Sequence, residues 1–240
     1  LWIQAMRRDD RTLEQKSLMR LYELGFFTRP VLSQNRWLLE NLPENAIFIT
    51  NGDLDTYPGL MLQQEEQLRV DVALVNASLL NMPWYIEDMA KRHALPMPMT
   101  YDEMMEYNPY MDDEGEIILL SQVVMKSWMK DEKHGRPFTA SVTCGEHVLK
   151  VFEPDKILKG SYFAAAPSPG KLLDPDAVKS AIKHLDGSLY AGELYTESDK
   201  SAVRRATKPG FTAKVPFNTA LLFAEYCMDN DMKAEAKSTI

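Results

Sequence analysis

The run Asn51-Gly52-Asp53-Leu54-Asp55-Thr56 gathers more side chains capable of chemistry than any other stretch of the chain. Glycine lets the backbone turn sharply, and two carboxylates flank a single leucine. Carboxylates this close can share a divalent cation through hard oxygen ligands. They can also divide into an acid and a base where their surroundings differ. A structural role is open beside these, because Asx side chains bond local amides in turns and cap helices. Asp55 or Thr56 would serve as N-cap of a helix that begins near Pro58.

The elements that must position this run read clearly on either side of it. Ala46-Ile47-Phe48-Ile49-Thr50 is a short apolar run bounded by turn residues, as expected of a buried strand. A helix is predicted from Pro58 to about Leu68, since proline suits a first helical turn. Asp71-Val72-Ala73-Leu74-Val75 is a second buried strand. A strand, helix and strand in succession imply a parallel pair with a right-handed crossover. Ligands gather outside the carboxyl ends of such strands. Asn51, Gly52, Asp53, Asp55 and Thr56 lie there after the first strand. Asn76, Ser78 and Asn81 lie there after the second, with Trp84 just beyond. Trp84 and Tyr85 can stack on a sugar or base, although aromatics opening a helix are usually core residues. These nine residues, Tyr85 aside, are the expected ligand site, with Asp53 and Asp55 as the pair for a metal.

Further along, Phe138-Thr139-Ala140-Ser141-Val142-Thr143 alternates and is β-branched, which predicts a third strand, and Tyr162-Phe163-Ala164-Ala165 a fourth. Residues 94–115 are rich in Met, Pro and Tyr and read as a surface excursion, a lid or partner surface. Ile117 to Lys130 is expected to be a helix that buries Val123, Val124 and Trp128. At the start, residues 9–24 carry helical spacing with Gly25 past the end and Thr12 and Gln15 as a capping box. A second helix from Pro30 to Asn41 would close a helical hairpin. At the other end, Asn218 to Met228 and Asp231 to Ala236 have the small-residue spacing of a helical-repeat hairpin. The fold expected is α/β: a small, mostly parallel, Rossmann-like sheet of three to four strands with helices on both faces, flanked by helical hairpins. Its parts are a helical hairpin at 1–41, an α/β domain at 42–170, and C-terminal helices at 171–240, tetratricopeptide-like at the end.

Composition narrows the partners. The net charge is −8, which disfavours nucleic acid and anionic membrane, since phosphate binding needs a basic surface. Hydrophobic residues at 45% and charged residues at 26% are ordinary globular values. No stretch approaches the ~20 apolar residues of a bilayer span. The chain begins at Leu1, not at Met, and reads as a processed chain or a fragment. Cys144 and Cys227 form no metal or redox motif and are expected as reduced, buried thiols. His93, His134, His147 and His184 are scattered and lack zinc spacing. Ser141 and Cys144 with His147 specify no triad. Met97, Met99, Met104, Met105 and Met111 fit either an adaptable surface or filler beneath the long excursion.

Asp53-Leu54-Asp55 matches the Asp-x-Asp metal motif of nucleotide-sugar glycosyltransferases. Haloacid-dehalogenase phosphatases place their nucleophilic Asp directly at the strand end, whereas Asn51-Gly52 intervenes here. An EF-hand would need more acidic ligands than Glu65 offers. A longer resemblance covers residues 42–88, from Leu42-Pro43-Glu44-Asn45 through Asn51-Gly52-Asp53 to Asn76-Ala77-Ser78-Leu79-Leu80-Asn81-Met82-Pro83-Trp84-Tyr85-Ile86. It continues through Arg136-Pro137-Phe138-Thr139-Ala140 and Leu158-Lys159-Gly160-Ser161-Tyr162. Over these residues the chain resembles the soluble C-terminal region of a largely uncharacterised family of bacterial membrane proteins. The membrane half of that family looks like protein O-mannosyltransferases, and tetratricopeptide repeats often accompany it. Leu54 stands where the family usually has Asn, which removes one polar ligand.

The resemblance implies a periplasmic or cell-envelope setting. The expected function is a binding or accessory module of a cell-envelope glycan or protein-modification system, with a protein or glycan partner. No cofactor is established beyond an optional divalent cation. The alternative is a divalent-metal-dependent glycosyl or phosphoryl transferase, or a hydrolase, that uses Asp53 and Asp55.

Overall fold

The computed structural model describes residues 1–165, 172–184, 210–230 and 232–239. Three helices come first: α1 (Trp2–Arg7), α2 (Arg11–Glu23) and α3 (Arg29–Glu40). Asp10, not the expected Thr12, caps α2, its carboxylate accepting from the Leu13 amide at 2.9 Å. Gly25 ends that helix with φ +68°, and the Phe26 amide reaches back to the Leu21 carbonyl, as glycine past a helix end does. The two expected helices do not pair with each other. Instead α2 packs on α1 and on α4, while α3 packs on α4.

Next come β1 (Ile47–Thr50), α4 (Asp53–Glu66), β2 (Ala73–Asn76) and, after a 3-10 turn at Leu79–Asn81, α5 (Pro83–His93). The excursion that follows has structure of its own: α6 (Tyr101–Met105), capped by Thr100 and Glu103, and a hairpin of β3 (Tyr110–Met111) and β4 (Ile117–Ile118). Then follow α7 (Leu120–Lys130), β5 (Phe138–Ser141), α8 (Glu146–Leu149), β6 (Lys156–Lys159) and β7 (Tyr162–Ala165). The last described helices are α9 (Pro175–Lys183), α10 (Gly210–Asp229) and α11 (Lys233–Thr239). The expected boundary at residues 170 and 171, and Asp231, lie outside the described residues.

One five-stranded sheet organises the chain, in the order β2-β1-β5-β7-β6. β1 runs parallel to β2 and to β5, while β7 is antiparallel to both β5 and β6. The sheet is therefore mixed and has five strands, where a mostly parallel sheet of three to four was expected. The added strand is β6, joined to β7 by a two-residue turn at Gly160-Ser161. Gly160 has φ +71°, and a Cβ there would lie 2.8 Å from the Cβ of Ala181 on α9. Only glycine lets that helix sit so close.

Strand alternation splits the core in two. Ile47, Ile49, Val75 and Ala140 join Ile86, Val124, Met125 and Trp128 on one face. Phe48 and Leu74 join Trp37, Leu38, Leu62 and Ala181 on the other. The C-terminal helices close a third cluster, where Phe223, Cys227 and Ala236 meet Val178 and Leu158. Trp37 on α3 donates to the Ala181 carbonyl at 2.8 Å, which ties α9 to the body of the domain. Both cysteines are free and buried. Among the described residues no helix is long and apolar enough to cross a membrane.

Arg69 pins the two parallel strands together at their amino ends. Its guanidinium donates to the carbonyls of Leu39, Leu42 and Pro43 and to both oxygens of Asp71, each at 2.7–2.9 Å. Those five bonds use every donor that arginine has. Asp71 also accepts from the Asn45 amide, and with Arg69 beside it its carboxyl is held down to about 2.

Candidate functional site

The carboxyl end of β1 opens directly into α4. Only Asn51 and Gly52 form a loop, since the helix already starts at Asp53, five residues ahead of the expected Pro58. Proline inside a helix leaves the carbonyl four residues earlier without its donor, and here that carbonyl belongs to Leu54. Asn35 on α3 makes up the loss, its side-chain amide donating to the Leu54 oxygen at 2.9 Å. A helix can thus run through Pro58 because a buried side chain from another helix supplies the missing bond. Gly59 follows, and a Cβ there would come within 2.9 Å of Leu74 Cδ1, so its absence lets α4 lie close on β2.

Asp55 sits at the third position of α4 and turns back on the strand end. Its carboxylate accepts from the amides of Asn51 and Gly52, both at 3.0 Å, and from the Thr143 hydroxyl. Thr143 has one proton to give, so Ser141, 2.7 Å away, must donate its own hydroxyl to Thr143. The side chain of Asp55 is only 4% exposed. Burial pushes its carboxyl above the ordinary value, against the pull of the Thr143, Asn51 and Gly52 bonds. A helix N-terminus at a strand end is a ready anion site, and this protein fills it with its own carboxylate.

Thr56 and Asn76 are also buried and serve the frame. The Thr56 hydroxyl donates to the Gly52 carbonyl at 2.7 Å, lies 2.6 Å from the Thr50 hydroxyl and accepts from the Asn76 amide at 3.1 Å. Asn76 Oδ1 accepts from the amides of Ser78 and Leu79 and so caps the 3-10 turn. The Asn76 backbone amide donates to the Tyr85 hydroxyl. These bonds lock the ends of β1 and β2 to the first turn of α4.

A cleft of about 260 Å³ opens at this point, lined by Gln34, Asn51, Gly52, Asp53, Leu54, Asp55 and Thr143. Its place follows from the sheet order. From β1 the chain leaves toward β2, whereas from β5 it leaves toward β7, and a crevice forms where neighbouring strands send their connections apart. Of the nine residues expected at the site, Asn51, Gly52, Asp53 and Asp55 line this cleft. Thr56 and Asn76 lie beneath it, Ser78 is exposed just before the 3-10 turn, and Asn81 accepts from the Ser121 amide at the start of α7.

Trp84 lies elsewhere, in a second cleft of about 570 Å³ between α1 and α5. There the guanidinium of Arg7 stands 5.9 Å from its ring centre.

Two lining residues escaped the sequence reading, Gln34 and Thr143. Gln34 projects from α3 and is 3% exposed, and its side-chain oxygen finds no hydrogen-bond partner among the described residues. Nothing local marks either residue, because each reaches the cleft through tertiary packing.

Asp53 and Asp55 stand two apart on a helix, and such residues do not face one another. Among the described residues no group of three or more His, Cys, Asp and Glu could hold a metal ion. Cys144 gives its thiol proton to the Ile49 carbonyl at 3.4 Å. Burial, then the charge of Asp55, pushes that thiol well above its usual range, the opposite of what a nucleophilic cysteine needs.

Fold and site together define a mixed α/β domain with a small cleft at the carboxyl ends of two parallel strands. The family model described as TMEM260-associated domain 2 matches residues 32–158, just over half of the chain, and the chain belongs to this family. That family is linked to TMEM260, a protein-O-mannosyltransferase-like protein, in keeping with the resemblance drawn from residues 42–88. No curated protein and no solved structure matches the chain.

Proposed function

We propose that this chain is a binding or accessory module of a cell-envelope glycan- or protein-modification system, and that its ligand seats in the cleft after β1. The observation that carries this reading is the commitment of Asp55. A carboxylate that accepts two backbone amides and a hydroxyl holds a binding surface in shape, and it is not free to work as a base or to ligate a cation. The link of the family to a protein-O-mannosyltransferase-like protein supports the setting. A transferase reading would need a nucleotide sugar to be enclosed, and about 260 Å³ is below the ~300–1,000 Å³ of sites that enclose drug-sized ligands.

Gly52 supplies the test. A Cβ there meets nothing within 4 Å, and its φ of −173° is extended backbone that any residue adopts. Gly52→Leu therefore fills the cleft without straining the chain. Thermal-shift titration with neutral glycans, peptides, and Mg²⁺ or Mn²⁺ plus nucleotide sugars should find a ligand whose shift is lost in Gly52→Leu, with no product formed. Turnover of a nucleotide sugar that Asp53→Asn abolishes would establish the enzyme instead.

A further inference from the structure

We infer that the cleft takes a neutral, hydroxyl-rich ring, a saccharide bearing neither phosphate nor carboxylate, and that Gln34 is the residue that reads it. This rests on the cleft being a binding site. Gln34 lines the wall, is 97% buried by its 3% exposure, and carries a side-chain oxygen without a donor among the described residues. Buried polar atoms are almost always paired. The Gln34 oxygen is itself closed to solvent, and a turn of its amide toward the cleft would pair it with a ligand donor.

Opposite polarity is at hand. The amides of Asp53 and Leu54 open α4, and no carbonyl of the same helix can accept from them. A site that sets an unmet acceptor beside helix-opening amides suits the hydroxyl group, which accepts and donates at once. Leu54 adds an apolar patch for the C–H face of a ring.

The same geometry rejects anions. Asp55 already occupies the amides of Asn51 and Gly52 that would cradle a phosphate, and Asp53 sets a second carboxylate on the rim. A ligand with its own negative charge meets both.

The test is calorimetric titration of the intact chain with neutral methyl hexosides of gluco, galacto and manno configuration, their phosphorylated counterparts, and inorganic phosphate. At least one neutral hexoside should bind, its phosphorylated form at least about tenfold more weakly, and inorganic phosphate not at all. Gln34→Met should weaken that hexoside by about tenfold or more, while the thermal midpoint holds or rises because the orphaned oxygen is gone. Amide resonances of Asp53 and Leu54 in the wild type should shift with the hexoside, a readout that needs no variant.

The inference falls if phosphate or a phosphorylated sugar binds as tightly, if Gln34→Met leaves affinity unchanged, or if no neutral hexoside binds. A peptide whose binding Gly52→Leu abolishes would overturn the saccharide and leave the binding-module reading standing. A hexoside indifferent to Gly52→Leu would overturn both.

Discussion

Replacing Asp55 by Asn separates what the carboxylate contributes from what it costs. In the native protein it accepts from the Asn51 amide, the Gly52 amide and the Thr143 hydroxyl at 4% exposure. Asn keeps the shape, removes the charge and turns one acceptor oxygen into a donor. Its Oδ1 can still accept from Gly52, and the Thr143 hydroxyl can turn to accept from the new amide. The Asn51 amide, however, would face another donor and lose its partner. One buried amide left unmet costs about 1–3 kcal/mol, and discharging a buried carboxylate returns part of that.

A net loss of about 1–2 kcal/mol follows, or a midpoint lower by about 2–8 °C in a chain of this size. The pH dependence decides the reasoning. Burial raises the Asp55 carboxyl above its ordinary 3.8, so the native state holds that proton more tightly than the unfolded chain does. Over the window from 3.8 up to the raised value, wild-type stability must fall as pH rises. The Asn variant lacks this titration. Urea unfolding from about pH 4 to about pH 7 should therefore show the wild-type advantage greatest in acid and narrowing as pH rises. An advantage that widens with pH would mean that the three hydrogen bonds outweigh burial, and the account of Asp55 would be wrong.

Other expectations can be checked in the same way. Asn35→Leu orphans the Leu54 carbonyl and should cost about 1–3 kcal/mol. In a Pro58→Ala background, where residue 58 regains its amide, a double-mutant cycle should find about 1 kcal/mol less. Arg69→Met should cost about 2–3 kcal/mol by urea unfolding. Asp71, held near 2, adds stability above its ordinary 3.8 that is lost as pH falls through 2, so the gap should close across that range. Gly160→Ala, with its positive φ and the nearby Cβ of Ala181, should lower the midpoint measurably and leave cleft binding intact. Cys144 should resist thiol reagents in the native state and react on unfolding, which timed labelling would read.

Much of this frame is legible in the sequence where local pattern carries it. The apolar runs at Ile47–Thr50 and Ala73–Asn76 are strands, with a helix between them and a parallel pairing. Phe138–Ser141 and Tyr162–Ala165 are strands as expected. β6 was missed because Lys156 and Lys159 bracket only two apolar residues, although Gly160-Ser161 is a two-residue hairpin signal that could have revealed it.

The start of α4 was placed at Pro58 by a sound local rule, which Asn35 overrides through its bond to Leu54, 19 residues further along the chain. Distant partners of that kind leave no trace in spacing. The cleft shows the same limit. Asn51 through Asp55 could be read as its floor, whereas Gln34 and Thr143 arrive only once α3 is packed and β5 lies beside β1. Trp84 looked close along the chain, and yet α5 carries it to the other cleft.

The most direct test of the central claim is amide chemical-shift mapping of the intact chain during titration with a neutral methyl hexoside. Shifts confined to Gln34, Asn51, Gly52, Asp53, Leu54 and Thr143, and lost in Gly52→Leu, are the predicted result. Shifts centred on Arg7 and Trp84 in the second cleft, or none at the first, would contradict it.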